Sequence, residues 1–261
     1  MTLYIHELKR GKPALIIWTA VLSFMLGLCI LIYPEMAGQI DEVSAIFSDM
    51  GSFSAAFGMD QLSFGEFGGY FGIECGNTLG IGGGLFAALL GISALAQEEG
   101  DRTAEFLLCH PVSRMYVFRQ KLAAVVTRIL IHNLLIAVLS LGAMAVIGES
   151  LGAKTLLLLF GSYTLMELEI ACLTFALSAY LRKNSLAIGL ALAMGLYFGN
   201  LLSNLVEELK FLKYLTPYAY TDPAYILNEG SLPWKYLLTG AVLSIIALTP
   251  AAIHYRRKDI L

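Results

Sequence analysis

The chain has 261 residues, 57% of them hydrophobic and 14% charged, with a net charge of −3 and a mean hydropathy of +0.72. Soluble domains average about 45–50% apolar and about 25% charged residues, so this composition excludes a soluble globular protein and defines an integral membrane protein. The length suits a single transmembrane domain, 1–261, without a second globular domain, and no basic tract points to nucleic acid.

Residues 2–12 set Leu3, Ile5 and Leu8 among His6, Glu7, Lys9, Arg10 and Lys12, the pattern of a short helix lying at the membrane interface. A first apolar span follows over about 14–33, with Trp18 near one interface and Tyr33 at the other. Its core is longer than that of a signal peptide and ends in Tyr-Pro-Glu-Met, which offers no small-residue cleavage site. Residues 34–70 then carry Glu35, Asp41, Glu42, Asp49, Asp60 and Glu66, five phenylalanines, and no Lys or Arg. They predict short amphipathic helices on the outer face, which either shield the mouth of a pathway or anchor at the interface by their rings.

The second span, 71–96, contains a ladder: Gly68, Gly72, Gly76, Gly80 and Gly84 recur every four residues. On an α-helix they form one ridge that drifts by about 40° per step. Five glycines cost on the order of 4–5 kcal/mol in a soluble helix; in lipid they let another backbone approach. The ridge is therefore expected to pack against another helix, in this chain or in a second subunit. A phosphate-loop reading of GNTLGIGGG fails, because no Lys-Ser/Thr follows.

Residues 98–121, EEGDRTAEFLLCHPVSRMYVFRQK, form the longest polar insert. Thr103 can cap a short helix with Glu105 in its first turn, and Pro111 disfavours helix at His110. Ser113 can cap the next helix, starting at Arg114 and running into the third span. The short helix presents Phe106 and Leu107 between polar ends, which suits docking into a groove; the same residues also suit an interfacial loop held at headgroups by Arg and Lys.

The remaining spans are read at 122–147, 155–180, 185–205 and 236–254, with a Pro- and Tyr-rich loop over 206–235. Arg128, His132 and Asn133 lie in the third, Glu167 and Glu169 in the fourth, Asn200 and Asn204 in the fifth. A charge at mid-span costs about 2.5–3.5 kcal/mol, so partners are expected. Glu167 and Glu169 point about 200° apart: one is expected to pair with Arg128 or His132, the other to face a second subunit or a watery path. The cluster fixes helix packing, lets Arg128 snorkel to headgroups, or lines the route. Asn200 and Asn204 suit helix–helix hydrogen bonds. The four cysteines, Cys29, Cys75, Cys109 and Cys172, lack metal-ligand spacing and read as free thiols. With the N-terminus inside, inner segments hold twelve Lys and Arg and outer loops four, a bias that predicts both termini cytoplasmic and residues 98–121 inside.

The pattern Glu99, Thr103, Glu105, Leu107-Leu108, Pro111-Val112-Ser113-Arg114 and Lys121 resembles the first cytoplasmic loop of ABC-2 type transporter permeases. The tail from Tyr255 to Ile260 and the segment Leu215-Thr-Pro-Tyr-Ala-Tyr-Thr-Asp-Pro are similar to the same family, so the resemblance covers nearly the whole chain. The glycine ladder is not part of it. The resemblance implies an all-α fold of six transmembrane helices, with a coupling helix between spans two and three. It assigns contact with an ATP-binding subunit to Glu98, Glu99, Thr103, Glu105, Phe106, Leu107, Leu108, Pro111, Ser113 and Arg114. It also implies a second permease subunit, a homo- or heterodimer in the plasma membrane, with ATP and Mg bound by the partner and no cofactor by this chain.

The chain itself carries no Walker A sequence and no HExxH or GxSxG motif, so no enzymatic activity is expected of it. The expected function is the permease subunit of an ATP-driven exporter of a peptide, antibiotic, lipid-like or other amphipathic compound. The alternative is an ion-coupled secondary transporter relaying through Glu167, Glu169 and His132; no inverted repeat or Pro-broken midplane helix supports it.

Overall fold

The computed structural model describes residues 2–38, 62, 65–100, 112–181 and 185–258, with main chain alone at 2 and 98–100. Most of the acidic segment after the first span, and the stretch expected to form the coupling helix, lie outside the described residues. Among the described residues there are no strands. Six helices are long and apolar enough to cross a membrane: Lys12–Ala37, Phe67–Gln97, Arg114–Ile147, Ala153–Ser178, Leu186–Leu205 and Trp234–Arg257.

In chain order the helices are α1 (Thr2–Arg10), α2 (Lys12–Ala37), α3 (Phe67–Cys75), a π-helical segment (Gly76–Gly83) and α4 (Gly84–Gly100). Then come α5 (Arg114–Ile147), α6 (Ala153–Ser178), α7 (Leu186–Leu205), α8 (Pro223–Glu229) and α9 (Trp234–Arg257). The sequence signals explain several ends. Gly11 separates α1 from α2, and Pro13 sits in the first turn of α2, where its missing N–H costs nothing. The Ser113 side chain accepts from the Tyr116 N–H at 3.2 Å and starts α5 eight residues before the apolar run. Gly148, at φ 77°, closes it in the left-handed conformation.

Each outer helix divides into a protein face and a lipid face. In α2, Thr19, Leu22, Leu26, Ile30 and Tyr33 are buried at steps of three and four, while Ile16, Ile17, Val21, Phe24 and Leu28 face outward. An apolar outward face is what lipid contact requires. The second span is different: 67% of its apolar window is buried, against 44% or less for the others, so it is the central helix.

The central helix is approached from every side at a glycine. A methyl at Gly72 would come within 2.9 Å of Pro223, and one at Gly82 within 2.5 Å of Leu22. At Gly83 it would collide with the Glu167 carboxyl, and at Gly84 with the Tyr218 hydroxyl. A methyl at Gly91 would collide with the Thr174 hydroxyl and with the backbone of α6 itself, Ala171 O at 2.5 Å and Phe175 N at 2.9 Å. The four-residue ladder is thus only part of the contact surface. A methyl at Gly76 would meet one distant hydroxyl, Tyr163 at 3.5 Å, one at Gly68 would meet Leu151 at 3.4 Å, and one at Gly80 nothing within 4 Å. The ridge expected from the ladder is broken because Gly76–Gly83 is π-helical. Its i→i+5 register changes the angle between successive glycines, and its four glycines relieve the crowding of that register.

The loop after α7 is not loose. It holds two 3-10 segments, Glu207–Tyr214 and Pro217–Tyr220, and then α8. Thr216 donates to Leu196 O at 2.9 Å and accepts from the Tyr218 N–H, so it pins the second segment to α7. Asp222 accepts from the Ala224 N–H at 3.0 Å and caps α8, which ends at Gly230 with φ 58°. Tyr218 and Tyr220 are thereby driven into the bundle, 5% and 1% exposed. Cys29, Cys75 and Cys172 are free thiols.

Gly91→Ala is expected to destabilise the bundle by about 1–3 kcal/mol, because its methyl meets backbone that cannot rotate away. Gly80→Ala, placed in open space, is expected to be neutral or stabilising, since alanine favours helix by up to ~1 kcal/mol. Melting in detergent checks the contrast; equal losses at the two positions would count against close approach as the cause.

Candidate functional site

The polar residues of the spans form three layers, not one cluster. At the first layer, α1 lies against the start of α5. Lys121 donates to Glu7 Oε1 at 3.1 Å and to Ala94 O at 2.8 Å. Arg128 donates to the Glu7 carbonyl at 2.5 Å, with Glu7 Oε2 at 3.7 Å. Gly11 leaves room for the Arg128 guanidinium, which any Cβ there would strike. Tyr4 OH and Thr127 Oγ1, 2.9 Å apart, fasten the same two helices. Glu7 is 8% exposed and Lys121 2%, so the carboxylate and its cations are desolvated together.

The second layer crosses the middle of the bundle. His132 Nδ1 and Thr19 Oγ1 are 2.8 Å apart, and the imidazole lies 4.4 Å from the Phe86 ring. Asn133 donates from Nδ2 to Glu167 Oε2 at 2.8 Å and to Ile129 O at 3.1 Å. Glu167 is fully buried, and its Oε1 rests against Gly83 without a hydrogen-bond partner. The third layer joins α6, α9 and the loop before it. Tyr220 OH donates to Glu169 Oε2 at 3.0 Å, and the carboxyl fills the place of a side chain at Gly240. Burial raises the Tyr220 phenol well above its ordinary range, with Glu169 adding to the effect, so it stays a donor. Tyr163 OH donates to Thr221 O at 3.3 Å and locks the same loop to α6.

These layers correct the expected pairing. Arg128 faces Glu7 and not Glu167 or Glu169, because α1 folds back along α5 and brings its carboxylate within reach. His132 takes Thr19, and neither acid. Asn200 Oδ1 is buried without a partner, and Asn204 is exposed at the end of α7. Of the residues assigned to ATPase coupling, Glu98 and Glu99 lie in α4 as main chain, Ser113 caps α5, and Arg114 donates to Lys258 O at the end of α9. Thr103, Glu105, Phe106, Leu107, Leu108 and Pro111 lie outside the described residues.

Sequence reasoning missed Glu7, although it is the one acid in a basic, amphipathic start. It missed Thr19, Tyr218 and Tyr220, whose signal was a tyrosine-rich Pro loop, and Gly83 and Gly240, which no pattern marked. It also passed over Glu74, which sits in the glycine-bearing helix.

Six helices long and apolar enough to cross a membrane, packed around a glycine-bearing centre with buried polar layers, define a polytopic membrane protein. The sequence pattern of the ABC-2 family transporter proteins matches residues 1–260, and the chain belongs to that family. It is therefore a permease-type membrane subunit of an ABC transporter. A search of curated proteins finds no match.

The revised pairing gives a double-mutant test. Glu7→Gln alone is expected to cost about 1–3 kcal/mol by stranding two cations, and Glu7→Gln with Arg128→Gln to lose less than the sum of the two single changes. Arg128→Gln with Glu167→Gln is expected to be additive within ~0.5 kcal/mol. Detergent melting of the six proteins reads both cycles; coupling in the second and none in the first would restore the Arg128–Glu167 pairing.

Proposed function

We propose that this chain is the membrane subunit of an ATP-driven exporter in the plasma membrane, working with a separate ATP-binding subunit and a second permease subunit. The observation that carries the reading is family membership across residues 1–260, joined to six candidate spans. Substrates of the class are amphipathic: a peptide, an antibiotic or a lipid-like compound. ATP and Mg belong to the partner, and this chain contributes motion.

Both termini and residues 98–121 face the ATP-binding subunit in this reading, in accord with the Lys and Arg bias. Glu98 and Glu99 end α4 and Arg114 begins α5, so a force on the loop between them acts directly on the central helix and on the helix that carries Arg128. Arg114 also reaches the carbonyl of Lys258, and Lys258 Nζ donates to Leu181 O at 2.7 Å. A pull at that loop is thus shared among α5, α6 and α9.

Replacing Glu105 and Phe106 together is expected to abolish co-purification of the ATP-binding subunit and substrate-stimulated ATP hydrolysis, while insertion of the membrane subunit stays intact. Wild-type association and hydrolysis in that variant would remove the loop as the coupling element. An ion-driven secondary transporter would show no ATPase in the purified complex at all.

A further inference from the structure

The central helix is largely covered by its neighbours, yet one stripe of it stays half-buried. Between Phe67 and Gln97 that stripe steps by three and four residues through Glu74, Asn77, Ile81, Leu85, Leu89 and Ser93. At the end nearer Gln97, Leu89 and Ser93 line a cavity of about 300 Å³ together with Trp18 of α2 and Leu186 of α7. The stripe therefore looks into the gap between α2 and α7. Its charges are matched at this end, where Lys121 and Arg128 share Glu7.

The other end carries a carboxyl with no such match. Glu74 lies about 10 Å along the helix from Phe67, at 1.5 Å per residue, and so within the candidate span. The ion pairs of the described residues belong to other acids: Glu7 takes Lys121 and Arg128, and Glu207 takes Lys210. The titratable side chains that sense the charge of Glu74 are Cys29, Tyr70 and Cys75, all of them acids and none a cation. Glu167 and Glu169 differ, since both are buried and each has a donor, Asn133 and Tyr220. Asn77, next on the stripe, makes no side-chain hydrogen bond to a described residue. Polar side chains at membrane depth face protein or a water-filled path rather than lipid. A cationic head supplies what both residues lack: a charge for Glu74 and an N–H donor for the Asn77 amide oxygen. Ile81 and Leu85 then continue the stripe as an apolar track.

We propose that this stripe lines the path of the transported compound, and that the compound is a cationic amphiphile. Its ammonium sits against Glu74 and Asn77, and its apolar part runs along Ile81 and Leu85. The proposal rests on the export reading and narrows the substrate class within it.

In discs of phosphatidylcholine, the purified complex is expected to bind labelled dodecylamine saturably, above the uptake by empty discs. Dodecanol, neutral and with the same chain, is expected not to displace it. Glu74→Gln is expected to weaken binding about tenfold, the loss of one charge-assisted contact. Glu208→Gln removes the same charge from an exposed position off the stripe and is expected to bind as the wild type does. Asn77→Asp adds a carboxylate beside Glu74 and is expected to tighten binding, a gain that misfolding cannot produce. Absence of saturable binding overturns the proposal, as do equal displacement by dodecanol and equal losses in the Glu74 and Glu208 variants. A Glu74→Gln complex that separates into single permease chains overturns it too, since the carboxyl would then be a subunit contact. ATP hydrolysis by the same complex tests the export reading separately. Hydrolysis without amine binding overturns the cationic substrate alone; amine binding through Glu74 without hydrolysis keeps the cation site and overturns the exporter.

Discussion

The bundle is held by hydrogen atoms in places where other helices carry methyl groups. Inside a bilayer, burying apolar side chains against protein gains little over burying them in lipid, so helices associate through close fit and internal hydrogen bonds. The central helix meets that constraint by presenting Gly72, Gly82, Gly83, Gly84 and Gly91 to four different neighbours. Proline, leucine, carboxyl, phenol and bare backbone each occupy a space that a Cβ would fill. The α4–α6 crossing at Gly91 is the tightest of these in kind, since beside the Thr174 hydroxyl the neighbour is main chain. The reverse arrangement occurs on α7, where a Cβ at Gly189 would come within 2.8 Å of Ile92 of α4.

The same device places polar groups. Glu167 and Glu169 sit on one helix and point to different sides, and each finds one hydrogen-bond donor and one glycine: Asn133 with Gly83, Tyr220 with Gly240. The donor satisfies one oxygen and the glycine admits the bulk of the carboxyl. Arg128 repeats the scheme with Glu7 and Gly11. Three polar layers thus tie together elements far apart in sequence. The first joins α1 to α5, the second α5 to α6, and the third the loop before α9 to α6. Because each layer has its own partners, a change in one need not propagate through a chain of charges to the next.

Most of the architecture was legible in the sequence because span length and hydropathy are set by the bilayer. The helix α1, the Ser113 cap and the six apolar helices all followed from local patterns whose causes lie within a few residues. The site was less legible. The pairing of Arg128 depended on a carboxylate 121 positions away, and sequence depth along the spans pointed to Glu167 and Glu169 instead. Glu7 was hidden by its setting, since an acid among Lys9, Arg10 and Lys12 reads as a solvated interfacial residue. The glycines were visible as glycines, yet their spacing promised one ridge. A regular period in sequence becomes a regular ridge only if the helix keeps one register throughout, and nothing in the composition marks where the register changes. The buried tyrosines of residues 206–235 failed for a related reason: Pro217 and Pro223 signal turns, and turns are usually exposed.

The change of register between Gly76 and Gly83 sets the phase between two halves of the central helix. Above it, Gly72 is aimed at Pro223; below it, Gly84 and Gly91 are aimed at Tyr218 and α6. An α-helix turns about 100° per residue and the wider i→i+5 winding turns less, so rewinding all eight residues as ordinary α-helix would swing the lower half by roughly a third of a turn against the upper. Every recess beyond the segment would then face the wrong neighbour, although no contact residue had been altered. The segment is in effect a phase adjuster: its length in residues, more than the identity of any side chain within it, decides which surfaces of the protein can meet.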